Sequence, residues 1–222
     1  MQIPRETIGE IRLDDCFIEA LPAAPTPQRP KNMLLNASFE EAALPGWPDS
    51  WFFGSTTAIL SGDPGGPGQD GTVAYHGKAS LKMINEYTGV SGLCVARYMA
   101  PFLSSGNRGG VPVEIGKTYV FPVYLRADRD AVPAEIVLCN FAWNNAWENE
   151  GRLVNVQLNR DWQRFEAACV IPREGWTRGI SPCVQVIIRL KGKQCSLWAD
   201  AAQLEEGPRA TDYVPDNYRV RP

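Results

Sequence analysis

Seven tryptophans and a single histidine define the chemistry open to this chain of 222 residues. The densest polar-aromatic stretch is FAWNNAWENEG (Phe141–Gly151), in which Trp143 and Trp147 stand among Asn144, Asn145, Glu148 and Asn149. A flat indole stacks on the apolar C–H face of a pyranose ring, and neighbouring amides and charged groups take its hydroxyls. The stretch is too polar for a core and too aromatic for an idle loop. DSWFFG (Asp49–Gly54), led by Trp51, is a second such cluster. Tyr124 and Arg126 fall on the face of TYVFPVYLRA opposite its apolar side. Together these define an expected groove on a concave sheet: Trp51, Trp143 and Trp147 as stacking platforms, and Tyr124, Arg126 and Asn144 as polar contacts to a polysaccharide or oligosaccharide. Trp47 (in PGWP), Trp162 (in DWQRF) and Trp198 read instead as structural: Trp162 covers a sandwich edge at a strand start, and Trp198 belongs to the core pattern of the last strand.

Other chemistries find less support. With His76 as the only imidazole, a zinc site with two or more histidines is impossible and a Ser-His-Asp triad hangs on one residue. The 25 acids include no pair in a recognisable acid/base setting for glycoside hydrolysis, so the expected role is non-catalytic. Cys16, Cys94, Cys139, Cys169, Cys183 and Cys195 form no CxxC pair and mostly sit in apolar runs, which reads as buried thiols, with one or two disulfides as the alternative. A net charge of −3 supplies no general field for nucleic acid or anionic membrane. No apolar run approaches the ~18 residues of a spanning helix. The opening MQIPRETIGE lacks the charged-then-apolar pattern of a signal peptide, so the chain is either cytoplasmic or a piece of a longer secreted one.

The elements that must position these residues are short strands. In Thr118–Ala127, Tyr119, Phe121, Val123 and Leu125 share one face; Leu153–Leu158, Gln163–Val170 and Val184–Leu190 alternate likewise. Period two is what a strand with one buried face requires, and no stretch has a convincing 3.6 period. Hydrophobic residues at 44% suffice for a sizeable core, and dense Gly/Pro punctuation argues an antiparallel β-sandwich. Ser61–Gly71 (SGDPGGPGQDG) reads as a long surface loop because Gly and Pro dominate it. The proline-rich segment 21–31 reads as an extended linker.

That linker sets residues 1–20 apart from the main body, 32–215, with 216–222 as an exit linker. Gly9–Pro22 aligns without gaps on Cys195–Pro208, placing Asp14 on Asp200, Glu19 on Glu205 and Pro22 on Pro208. Residues 1–20 are therefore expected to supply a strand that belongs to, or mimics, a preceding sandwich; the alternative is a strand docked on this domain's own sheet.

The main body resembles carbohydrate-binding modules of the family 4/9/22 type, which are galactose-binding-like jelly rolls. The matching segments run in the family's order: NMLLNASFE (Asn32–Glu40), PGW (Pro45–Trp47), HGKASLKM (His76–Met83), IGKTYVFPVYLRAD (Ile115–Asp128), NRDWQRFEAACVIP (Asn159–Pro172) and LWADAAQLEEGPRATDYVP (Leu197–Pro215). The resemblance implies an all-β antiparallel jelly roll and a non-catalytic module of a multidomain glycan-degrading enzyme. It would be an extracellular or periplasmic accessory domain of a glycoside hydrolase, partnered by glycan and by neighbouring domains of its own chain. It also implies one structural calcium ion on Glu40 and Asp200, completed by backbone carbonyls near Asn36, Ser38 and Lys78. Where the family often has two acids, this chain has Asp200 followed by Ala201. A structural spacer and a protein- or surface-binding domain are the alternative functions for such a sandwich.

Overall fold

The computed structural model describes residues 32–55, 68–86, 94–98, 110–140, 152–174 and 182–215. Residues 1–31 and 216–222, and with them the expected N-terminal strand and both linkers, lie outside the described residues, as do Trp143, Asn144 and Trp147. The described strands are β1 (Trp51–Ser55), β2 (Gly68–Asp70), β3 (Ser80–Asn85), β4 (Cys94–Tyr98), β5 (Val111–Pro112), β6 (Thr118–Ala127), β7 (Val132–Asn140), β8 (Arg152–Leu158), β9 (Gln163–Val170), β10 (Cys183–Leu190), β11 (Cys195–Asp200) and β12 (Glu205–Glu206).

They form two antiparallel sheets. The first runs β1-β4-β10-β7-β8, with β5 also on β10; the second runs β12-β6-β11-β3-β2, with β9 on the other edge of β6. The alternation read from the sequence decides which side chains meet. Tyr119, Phe121, Val123 and Leu125 of β6, Leu197 and Ala199 of β11, and Leu81 and Met83 of β3 point inward. They meet Val184, Val186, Ile188 and Leu190 of β10 and Ile136 and Leu138 of β7 in one core between the sheets. Burying a Val, Leu, Ile or Phe side chain fully is worth roughly 1.5–3 kcal/mol, and this shared layer is what makes a two-sheet sandwich cohere.

The opening segment closes one end of that core. Phe39 is fully buried and its ring meets that of Trp51, with centroids 4.8 Å apart. Asn36 organises the turn before it at φ 48°, in the left-handed region that asparagine tolerates. Its amide donates to the carbonyls of Glu41 and Asp49 and its Oδ1 accepts the Glu41 N–H. Trp47 packs on the core edge and against Phe52, as its structural reading requires.

Two expectations fail here. The glycine-rich segment read as loop through Gly71 contains β2, whose Gly68 to Asp70 pair with Lys82 to Ser80 of β3. Gly68 belongs there because a Cβ at its φ of 108° would sit 1.8 Å from the Gly46 carbonyl oxygen. Trp198 is not core: Leu197 and Ala199 take the inward positions of β11, so alternation turns Trp198 onto the outer face, half-buried.

Candidate functional site

The strand register of the second sheet assembles an aromatic and cationic surface on its outer face. Trp198 of β11 lies opposite Arg126 of β6 on one side and Lys82 of β3 on the other. Trp162, just before β9, reaches Arg126 from the far edge of β6. The result is a row across the strands in the order Trp162, Arg126, Trp198, Lys82. The Arg126 guanidinium carbon is 5.9 Å from the Trp162 ring centre and 5.5 Å from that of Trp198, and the Lys82 ammonium is 5.0 Å from Trp198. Such distances fall within cation–π range. The Trp198 N–H is fixed by Asp70 Oδ2 at 2.8 Å, which orients the indole.

A second layer rises beside this row. Tyr75, from the turn before β3, stacks on Tyr124 of β6 with centroids 3.7 Å apart and planes 16° from parallel. Tyr75 also meets Trp162 edge-on at 5.9 Å, and Arg164 of β9 lies 5.9 Å from the Tyr124 ring. Tyr75 is 45% exposed, so the stack reaches solvent. An apolar ring in water with a guanidinium beside it is the kind of surface on which a sugar face stacks.

A strap from the chain's end borders this surface. Glu205, 4% exposed, accepts Thr211 N–H at 2.7 Å and Thr211 Oγ–H at 2.8 Å, together with the Gln203 amide at 2.9 Å. Val214 N–H returns to Gln203 Oε1, and Arg164 donates to the Thr211 carbonyl.

The turn that delivers Tyr75 is held by two carboxylates. Asp200 Oδ2 accepts the Tyr75 and His76 N–H groups at 2.8 and 3.0 Å, and its Oδ1 accepts Ala201 N–H. Glu40 Oε1 accepts the Lys78 and Ala79 N–H groups at 2.8 and 3.1 Å. Gly77, at φ 74°, lies between these anchors, and a Cβ there would come within 2.2 Å of Glu40 Oε1. Burial, reinforced by the charge of Glu40, pushes the Asp200 carboxyl up to about 7 against the pull of its backbone donors. His76 edges Tyr213 of the strap, and its buried Nδ1 has no hydrogen-bond partner.

The expected site residues therefore separate. Tyr124 and Arg126 share the outer face of the second sheet. Trp51 is corrected: at 2% exposure it is core, with its N–H on the Asn36 carbonyl at 3.2 Å, and it presents no stacking face. It cannot share a groove with Tyr124 and Arg126, because it lies inside the sandwich. Trp143, Asn144 and Trp147 fall outside the described residues, in the connection between β7 and β8 of the first sheet. Tyr75 and Trp162 were missed as site residues. The repeated pairing of aromatics with strand-end cations (Trp162 with Arg164, Tyr124 with Arg126) was the available signal.

For the metal, Glu40 and Asp200 do converge on one turn, within electrostatic reach of each other. Asn36 is corrected as a ligand, since its amide is committed and its carbonyl already accepts Phe39 N–H and the Trp51 indole. Ser38 is buried and Lys78 exposed beside Glu40. Among the described residues no group of three or more His, Cys, Asp or Glu is placed to hold a metal. Two carboxylates with hard oxygen donors suit calcium in kind, provided backbone carbonyls complete the shell.

No family model matches the chain, and no curated protein matches it significantly. Solved structures do. The module TmCBM61, in complex with β-1,4-galactotriose, aligns with TM-score 0.51 at 13% identity over 80% of this chain and 100% of its own. The apo form of a cyclase from Fischerella sp. aligns with TM-score 0.57 at 13% identity, over 81% of this chain and 97% of its own. The enzymatically active domain of bacteriophage CBA120 tailspike protein 4 aligns with TM-score 0.53 at 11% identity, over 80% of this chain and 22% of its own. The chain thus has the antiparallel jelly-roll fold found in carbohydrate-binding modules.

Proposed function

We propose that this protein is a non-catalytic carbohydrate-binding module that holds a polysaccharide on the outer face of its second sheet. The observation that carries the reading is the solvent-facing stack of Tyr75 on Tyr124, continued by Trp162, Arg126 and Trp198. The non-catalytic reading draws support from Asp200. Among the described residues it is the carboxyl poised nearest neutrality, yet it is fully buried with its oxygens on backbone N–H groups, out of reach of a substrate. The accessory role in a longer, secreted glycan-degrading chain is consistent with the fold's occurrence as 22% of a tailspike chain. In the same reading Glu40 and Asp200 would hold one structural calcium ion, which would tie the turn carrying Tyr75 to β11.

Affinity electrophoresis through gels containing different polysaccharides tests this function. The wild-type chain is expected to be retarded by at least one glycan, and Tyr75→Ala and Trp162→Ala to run free. Trp143→Ala and Trp147→Ala form a separate arm. Loss of retardation in that arm alone moves the ligand to the segment between β7 and β8, and retardation by no glycan overturns the function.

A further inference from the structure

The outer row of the second sheet alternates ring and cation, and Arg126 is its centre. The guanidinium stands between the Trp162 and Trp198 rings, and its Nε is buried without a hydrogen-bond partner. Among the described residues no carboxylate forms an ion pair with it. Several described acids around this surface are already engaged. Asp70 and Asp200 are fully buried, the first on Thr72 and the Trp198 N–H, the second on Tyr75 and His76 N–H. Asp128, just past the end of β6, accepts the Ser196 N–H. Glu166 lies on β9 opposite Pro122, further down the sheet. Lys82 adds a second positive charge at the end of the row, where it also draws on Asp70.

An arginine standing between two indoles, with no ion pair among the described residues, is a fork open to an anion. Guanidinium matches a carboxylate bidentately, and its planar fork loses less freedom per hydrogen bond than a flexible ammonium does. At the strand spacing of about 4.8 Å, the row from Trp162 to Lys82 extends over about 14 Å, long enough for several linked sugar rings. Neutral sugar would leave the Arg126 charge uncompensated over aromatic surface.

We infer that the glycan recognised here is acidic: a hexuronate polymer whose ring carboxylate is forked by Arg126, with flanking sugar rings on Trp162 and Tyr75. This rests on the carbohydrate-binding reading above and specifies its ligand class.

The test compares polygalacturonate with its fully methyl-esterified form, which keeps the backbone and removes the charge, and adds polyglutamate as a polyanion without sugar. A hydrogen-bonded charge pair of this kind corresponds to about 10-fold or more in Kd. The wild-type chain is expected to bind polygalacturonate by at least that factor over the ester, and to ignore polyglutamate. Arg126→Gln, with an unchanged melting temperature, is expected to bind acid and ester alike. Equal wild-type binding to acid and ester overturns the acidic ligand while leaving the carbohydrate-binding function standing, and this comparison needs no variant to fold. A preference that survives in Arg126→Gln overturns the role of Arg126. Binding of polyglutamate as tight as polygalacturonate overturns sugar recognition, and binding of no glycan overturns both readings.

Discussion

Replacing Trp51 separates a core residue from a ligand platform. Its indole is 2% exposed, packs on Phe39 at 4.8 Å and donates to the Asn36 carbonyl at 3.2 Å. Truncation to alanine removes a large buried ring and leaves Phe39 facing a cavity in the core. Trp→Ala changes of this kind cost about 3–5 kcal/mol. For a domain of this size each kcal/mol lowers the melting temperature by roughly 2–4 °C, so the loss is about 6–20 °C. Trp51→Phe keeps most of the packing and loses the indole hydrogen bond. The Asn36 carbonyl still accepts Phe39 N–H, so no acceptor is stranded and the cost is nearer 1 kcal/mol. Differential scanning calorimetry of both variants, with glycan titration below the transition, reads the two effects apart. A Trp51→Ala protein that melts like wild type but no longer binds glycan would refute the assignment to the core.

Further outcomes follow from other contacts. Thr211→Val removes the hydroxyl donor from buried Glu205 and leaves one carboxylate oxygen without it; a destabilisation of about 1–3 kcal/mol is expected in denaturant melts, against no change if the strap is incidental. Calcium at about 100 times its Kd is expected to stabilise by about 2.7 kcal/mol, or some 5–11 °C, and Glu40→Gln to abolish that shift; equal melting with EDTA and with calcium rules the ion out. Burial alone pushes the Cys183 thiol from its ordinary 9.0 up to about 11. Between those values the unfolded chain has lost the proton that the folded chain keeps, so stability is expected to fall as pH rises from about 9 to 11. Cys183→Ala should flatten that slope in pH-dependent unfolding, and iodoacetamide should leave native Cys183 unlabelled at pH 8.

The sandwich was legible because strand alternation and burial coincide. Thr118–Ala127 and Gln163–Val170 were read with the bounds of β6 and β9, and the inward set of Tyr119, Phe121, Val123 and Leu125 is the buried set. Phe39, Ala202 and Leu204 join that core from segments outside the strands. The site was only half legible. Alternation places Tyr124 and Arg126 on one outer face, but cannot say that Trp198 and Trp162 flank them, since that depends on the register of β6 with β11 and β9. Tyr75 joins them through a turn anchored on Asp200, a contact between residues 125 apart in sequence. Trp51 was misread because DSWFFG shows one polar flank and no period. Its inward direction comes from pairing Trp51 with Tyr98 and from the bond to Asn36.

On the proposed function, glycan lies on the Tyr75–Tyr124–Trp162 surface of the second sheet. Isothermal titration of the best-retarding polysaccharide into wild type and the Tyr75→Ala/Trp162→Ala double variant tests it most directly, with melting temperature as the control. Truncating aromatic hot spots typically costs 2 kcal/mol or more, so a loss of about 30-fold or more in Kd is expected at an unchanged melting temperature. Wild-type affinity in the double variant would place the glycan away from this surface.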